Sequence, residues 1–147
     1  MSATEGLKVG KAVFDILKND ASVMAANLLN SDTTLIQPVP LSNKINPDIA
    51  IAYQVDSVNP INVKRLYRSA TAPLYIVDFS CACLSRNYGD SVKLADTVTA
   101  ALQSAETDGT YGGIKVNGIT LLSATEDYNE KRRYYIKDLS FQARVLL

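Results

Sequence analysis

Histidine is absent from the 147-residue sequence. Without an imidazole, the chain cannot form a Ser-His-Asp or Cys-His catalytic group, a histidine-ligated metal site or the usual proton shuttle near neutral pH. Its only two cysteines, Cys81 and Cys83, cannot complete a tetrahedral zinc site by themselves. These shortages exclude the commonest hydrolytic and metal-dependent active sites.

The two cysteines flank a single residue within a stretch that reads as a strand. Side chains at i and i+2 point to the same face of a strand, but a disulfide between them would distort it. We therefore expect Cys81 and Cys83 to be reduced, structural residues.

The sequence also has no net charge, because its 15 Lys and Arg residues balance its 15 Asp and Glu residues. A nucleic-acid-binding protein would usually show a basic surplus. Hydrophobic residues at 47% and charged residues at 20% are typical of one globular domain, here expected over residues 1–147. The sequence has neither a signal-peptide pattern nor an apolar run of roughly 18 residues, so we expect a cytoplasmic protein without a membrane partner.

Apolar side chains at helical spacing predict three helices. The first covers about residues 5–18, and a short second helix capped by Asp20 covers 21–29. The main helix covers about 91–104 and follows a turn at 87–90. Its predicted buried stripe consists of Leu94, Val98, Ala101 and Leu102.

Alternation with a period of two predicts strands over residues 48–56, 74–84 and 134–146. The strand over 74–84 is mainly apolar on both faces, as expected of a central strand covered on both sides. Five of its side chains share one face: Tyr75, Val77, Phe79, Cys81 and Cys83.

Connections are predicted from turn residues. Asn117-Gly118 lies between apolar runs and is the strongest short hairpin signal in the chain. Residues 35–46 contain prolines and read as irregular, and 126–133 as a turn or extended loop tip. Residues 57–72 fit either a long loop or a protruding hairpin. The fold class predicted is α+β: a mainly antiparallel sheet of four to six strands with two or three helices packed on one side.

Candidate sites for chemistry are few. Glu126, Asp127 and Glu130 form the densest acidic cluster, for which a solvated loop competes with a metal or glycosidase site. Asp78 interrupts an apolar strand and would need a partner, such as Arg144.

Two further segments resemble ligand-binding motifs. The glycine-rich segment 109–113 follows a helix and precedes the predicted hairpin, which is the wrong context for a phosphate-binding loop. Lys64-Arg65 with Tyr67-Arg68 forms a basic-aromatic patch that would suit protein contact or DNA contact.

The collinear order of these elements resembles the tail-completion, or tail-terminator, family of long-tailed bacteriophages. Four stretches carry the resemblance: the helix around 9–17 with its short successor, the proline-containing crossing into 49–53, the strand-helix unit 74–105, and 116–119 followed by an acidic, tyrosine-containing segment and the terminal strand 140–145.

The resemblance implies a structural virion protein that forms a six-membered ring, caps the tail tube, ends its polymerisation and offers a surface to the neck. The implied partners are further copies of the chain, the tail tube protein and head-tail connector or neck proteins, with passing contact to DNA in the lumen. The implied location is the virion tail or neck, after assembly in the host cytoplasm. This family supplies no catalytic motif, so no catalytic, cofactor-binding or metal-binding residue and no cofactor is expected.

Two alternatives remain open at the level of sequence. One is a non-catalytic adaptor elsewhere in the virion, in the neck, the head-tail connector or the baseplate. The other is an enzyme that uses Asp78 or the Glu126-Asp127 pair.

Overall fold

The computed structural model of the chain describes residues 3–20, 36–38, 49–60, 74–105, 109–111 and 113–146. Two helices lie within these ranges, α1 (Ala3–Asn19) and α2 (Tyr88–Gln103). The strands are β1 (Ile36–Pro38), β2 (Ile49–Pro60), β3 (Leu74–Ser85), β4 (Gly109–Tyr111), β5 (Ile114–Asn129) and β6 (Tyr134–Leu146).

All six strands form one sheet in the order β1-β2-β3-β6-β5-β4. Only the short edge strand β1 runs parallel to its neighbour, whereas every other described pair is antiparallel. The central strands β3 and β6 pair along their whole length, from Leu74–Leu146 to Ser85–Tyr135. The predicted α+β class and strand number are confirmed.

Both helices pack on one face of the sheet, called here the helix-side face. The apolar face predicted for residues 74–84 points towards them, and Phe79 stacks on Phe141 with ring centroids 5.3 Å apart. The predicted apolar stripe of α2 packs against this face of the sheet, where Leu94, Val98 and Leu102 are fully buried. Burial of this single apolar layer is the main favourable contribution to folding.

Helix α1 is amphipathic, as its spacing predicts, and extends the predicted 5–18 by one or two residues at each end. Val9, Val13 and Leu17 are buried, while the opposite surface exposes lysines. Gly10 lies against Tyr53, with 3.5 Å from an added Cβ to the ring. The exposed lysines are Lys8, Lys11 and Lys18. No described helix is long and apolar enough to cross a membrane.

Helix α2 begins earlier than predicted, because 88–90 form its first turn rather than part of a preceding turn. Asn87 is the N-cap: its side chain accepts a hydrogen bond from the Asp90 N–H at 3.2 Å. Asparagine favours both turns and N-caps, so the local sequence did not separate the two roles.

The hairpin predicted at Asn117-Gly118 is wrong. β5 runs through these residues, and the register with β6 shifts from Val116–Val145 to Ile119–Ala143, which makes a β-bulge. Gly118 has a φ of +93°, the positive value that the bulge requires. Pairing with β6 on both sides of the bulge overrides the local turn preference.

The bounds of the strands decide several segments that the sequence left open or assigned to loops. Residues 126–129 belong to β5, so the predicted loop tip shrinks to a turn at 130–133 before β6. Residues 57–60 extend β2, and β2 pairs antiparallel with β3 up to Pro60–Tyr75, which favours the hairpin alternative. Its connection 61–73 and the predicted helix 21–29 lie outside the described residues. Of the irregular segment 35–46, only 36–38 are described, and they form β1.

The second face of the sheet is polar over much of its area, and no described helix covers it. Asp78 accepts hydrogen bonds from Ser57 Oγ at 3.1 Å and Gln142 Nε2 at 3.2 Å, not from Arg144 as predicted. Two neutral donors and partial exposure thus take the place of the expected ion pair. At one end Tyr134 is fully buried in a small apolar cluster with Ala50, Ala52 and Leu84.

We expect Gly118→Ala to destabilise the protein by about 1 kcal/mol or more, since alanine is strained at positive φ. An added Cβ would meet nothing within 4 Å, so the loss would come from backbone strain alone. Urea unfolding measures the change, and Asn117→Ala in the same bulge is the control. Equal stability of both variants would contradict the assigned bulge geometry.

Candidate functional site

Exposed tyrosines mark one region of the helix-side face. The exposed large apolar or aromatic side chains of the described residues are Leu122 at 55%, Tyr88 at 49%, Tyr128 at 44% and Tyr135 at 37%. Three of these four meet in one cleft of about 320 Å³, called here the tyrosine cleft. Its lining residues are Tyr88, Ser91, Glu126, Asp127, Tyr128, Tyr135, Ile136 and Lys137.

Three elements position the rings. Tyr128 and Tyr135 are direct cross-strand partners on β5 and β6, with ring centroids 4.8 Å apart. Tyr88 reaches the same spot from the first turn of α2, where it meets Tyr135 edge-on at 5.6 Å. Such aromatic pairs hold each other in place while leaving ring surface exposed.

Glu126 links side chains from three elements that line the cleft. Its Oε1 accepts hydrogen bonds from the Tyr88 hydroxyl and from Lys137 Nζ, each at 2.8 Å. The bond from Lys137 and then that from Tyr88 lower the pKa of Glu126, while bonding to the carboxylate raises the pKa of Tyr88 and of Lys137. All three groups are solvent-accessible, so this network orients the rings more than it stabilises the fold.

The chemistry of the tyrosine cleft suits contact with another macromolecule. Tyrosine offers a rigid apolar ring with a polar tip and is enriched at protein interfaces. Both donors reach the same oxygen, Oε1 of Glu126, so the network fixes the direction of this carboxylate within the cleft. The cleft is therefore a candidate binding surface.

An open strand edge adjoins the cleft. β4 pairs with β5 only at Ile114–Val116, and from Ile119 to Asn129 the described pairing of β5 is with β6 alone. We call residues 119–129 the open β5 edge. Its side chains are exposed from Leu122 onwards. Backbone N–H and C=O groups along such an edge are a template for pairing with another chain.

The acidic cluster predicted from sequence does not converge. Glu126 and Asp127 are neighbours on β5 and so point to opposite faces, while Glu130 lies in the turn. Among the described residues, no group of three or more His, Cys, Asp or Glu side chains is arranged to hold a metal ion. Asp78 lies on the face opposite the tyrosine cleft, within the hydrogen bonds described above.

Cys81 and Cys83 are free and fully buried on the helix-side face, in agreement with a structural role. Burial, the largest cause, raises the pKa of both thiols, and nearby acidic groups raise it further. Both cysteines are thus held as neutral thiols at physiological pH.

The glycine-rich segment forms a tight connection between β4 and β5. Gly109 begins β4, and Gly113 has a φ of +84° beside the Tyr111–Ile114 pair. This confirms a context unlike that of a phosphate loop. The basic-aromatic patch at residues 64–68 lies outside the described residues.

The hydrogen bond from Lys137 is the main cause of the lowered pKa of Glu126. We therefore expect Lys137→Met to raise the pKa of Glu126 back towards its ordinary value of 4.5. Since the folded-state pKa is lowered, the contribution to stability is present above the ordinary pKa and lost as pH falls through the lowered value. A carboxyl-resolved NMR titration measures it, with Lys131→Met as control. A titration unchanged by Lys137→Met would refute the network.

Both thiols should resist a thiol reagent such as DTNB in the folded protein and react after unfolding in urea, because they are buried and neutral. Ala100→Cys, at an exposed position of α2, supplies a matched reactive control. Rapid reaction of the unmodified folded chain would contradict the described core.

No family model and no curated protein matches the chain. Among solved structures, it is similar to a chain of the "Virion of native gene transfer agent (GTA) particle", with a TM-score of 0.65 and 20% sequence identity. The match covers 99% of this chain and 98% of that chain. At this identity the likeness establishes a shared fold over the full length of both chains.

Proposed function

We propose that this protein is a non-catalytic structural component of a phage-like virion, and more specifically a tail terminator. In this role, copies of the chain form a ring that caps the tail tube, ends its polymerisation and joins the tail to the neck. The observation that carries the proposal is the full-length likeness in fold to a chain of a gene transfer agent virion.

Two features of the surface support an assembly role. The tyrosine cleft and the open β5 edge both suit contacts with protein, one through aromatic rings and the other through backbone hydrogen bonds. A formal net charge of zero favours neither sequence-independent nucleic-acid binding nor self-repulsion between copies.

The finer part of the proposal rests on the collinear resemblance to tail-completion proteins. It names as partners further copies of the chain in a hexameric ring, the tail tube protein and the head-tail connector or neck proteins, with DNA passing through the lumen. The second candidate is an adaptor elsewhere in the virion, and the same likeness in fold supports it.

A tail-polymerisation assay tests the proposal. Added to polymerising tail tubes of its own particle, the protein is expected to bind one tube end and stop growth, which electron microscopy measures as a narrowed length distribution. Gold labelling is expected at the head-proximal end. Labelling at the distal end would favour a baseplate adaptor, and tubes neither bound nor altered in length would overturn the tail-terminator role.

A further inference from the structure

We propose that Tyr128 and Tyr135 form an oxidative modification site, at which a one-electron oxidant joins the two rings as an intramolecular dityrosine. The inference goes beyond the proposed function and does not depend on it. It rests on the distance between the two rings, their tilt, their exposure and the hairpin that holds them.

The two rings lie close enough to react with each other. Their centroids are 4.8 Å apart, and their planes are tilted by 47°. Rings joined by a carbon–carbon bond are likewise tilted about that bond, and their centroids lie only slightly closer together. Coupling of Tyr128 with Tyr135 therefore needs a small movement of the two side chains, for which the tyrosine cleft leaves space.

The β5–β6 hairpin holds the rings at this distance. Tyr128 and Tyr135 are direct register partners, and the next pair towards the turn is Asn129–Tyr134. The Asn129 side chain accepts a hydrogen bond from the Arg132 N–H at 3.1 Å, and Tyr134 is fully buried. Because reacting groups held side by side are effectively concentrated, coupling within one chain is faster than coupling between chains.

Both rings are open to a reagent in solution, since Tyr128 is 44% exposed and Tyr135 is 37% exposed. An oxidant can therefore take an electron from either ring, and the phenolic protons can pass to water. Tyr88 is also exposed, but it meets Tyr135 edge-on at 5.6 Å, and its hydroxyl donates to Glu126 at 2.8 Å. The closer pair, Tyr128 with Tyr135, is thus the one that couples.

The reaction removes two electrons and two protons from the pair. Each phenol gives one electron to the oxidant and its hydroxyl proton to water, which leaves two tyrosyl radicals. A bond then forms between one Cε carbon of each ring. The hydrogens on these two carbons move to the phenolic oxygens, so that both rings are phenols again and the pair has lost two hydrogen atoms. The new bond ties β5 to β6 covalently at this end of the sheet.

Photo-oxidation of the folded chain tests the site. The oxidant is ruthenium(III) tris-bipyridine, formed by light from the ruthenium(II) complex and persulfate, which accepts the electrons and becomes sulfate. Trypsin cleaves after lysine and arginine, so Tyr88, Tyr128 and Tyr135 lie in three different peptides, 87–93, 116–131 and 134–137. Mass spectrometry is expected to find 116–131 joined to 134–137 through Tyr135, in a yield that does not change with protein concentration.

Two phenylalanine variants identify the pair, because phenylalanine lacks the phenolic hydroxyl and forms no dityrosine. Tyr128→Phe is expected to lower the yield of dityrosine, measured by its fluorescence, about tenfold, whereas Tyr88→Phe in the same cleft keeps the yield of the unmodified chain. Both variants should keep the unmodified melting temperature, since exposed substitutions change stability little.

Four results would overturn the inference: no cross-link, a cross-link to peptide 87–93, cross-linked dimers in place of the intramolecular product, or an equal loss of yield in both variants. None of these results touches binding to tail tubes or control of tube length, which the polymerisation assay measures separately.

Discussion

The structure depends on the pairing of β3 with β6. These two strands share twelve consecutive register pairs without a shift, and their helix-side faces place Phe79 on Phe141 at the centre of the core. Every other described element builds outward from them: β2 beside β3, β5 beside β6, and α2 across their helix-side face. Because one apolar layer serves both helices, the opposite face of the sheet is free to be polar.

That one-sided core explains which residues remain for function. Most apolar side chains of the described strands are buried on the helix-side face. The exposed aromatic rings lie where α2 begins and where β5 turns into β6. Glu126 accepts hydrogen bonds from Tyr88 and Lys137 and so fixes the geometry of this cluster. The result is an ordered surface of tyrosine rings beside a strand that, among the described residues, pairs on one side only, and both features suit a protein contact.

The sequence predicts the elements whose pattern is repeated over many residues. α1, the stripe of α2, β3 and β6 follow from periods of 3.6 and 2, because each of these elements buries one continuous face. The bulge at Gly118 could not be predicted in this way, since Asn-Gly favours a hairpin locally and only the partner strand β6 decides between the two. Asp78 likewise finds neutral partners that depend on register.

The tyrosine cleft could not be predicted from the sequence either, although tyrosine is the commonest aromatic residue in the chain. Its rings come from three elements, and Tyr88 and Tyr135 are 47 positions apart in the sequence. The available signal was the tyrosine and charge content of the 126–137 segment. It became informative only once the β5–β6 register was known.

The length of β4 has a consequence for the whole surface. β4 pairs with β5 over three residues, from Tyr111–Ile114 beside the turn at Gly113 to Gly109–Val116, and among the described residues the rest of β5 pairs with β6 alone. A strand continued by a few more residues would use up those backbone groups within the same molecule. The β4–β5 hairpin thus satisfies only the start of β5 within the described residues, and the point at which β4 begins, Gly109, sets how far along the rim this pairing reaches.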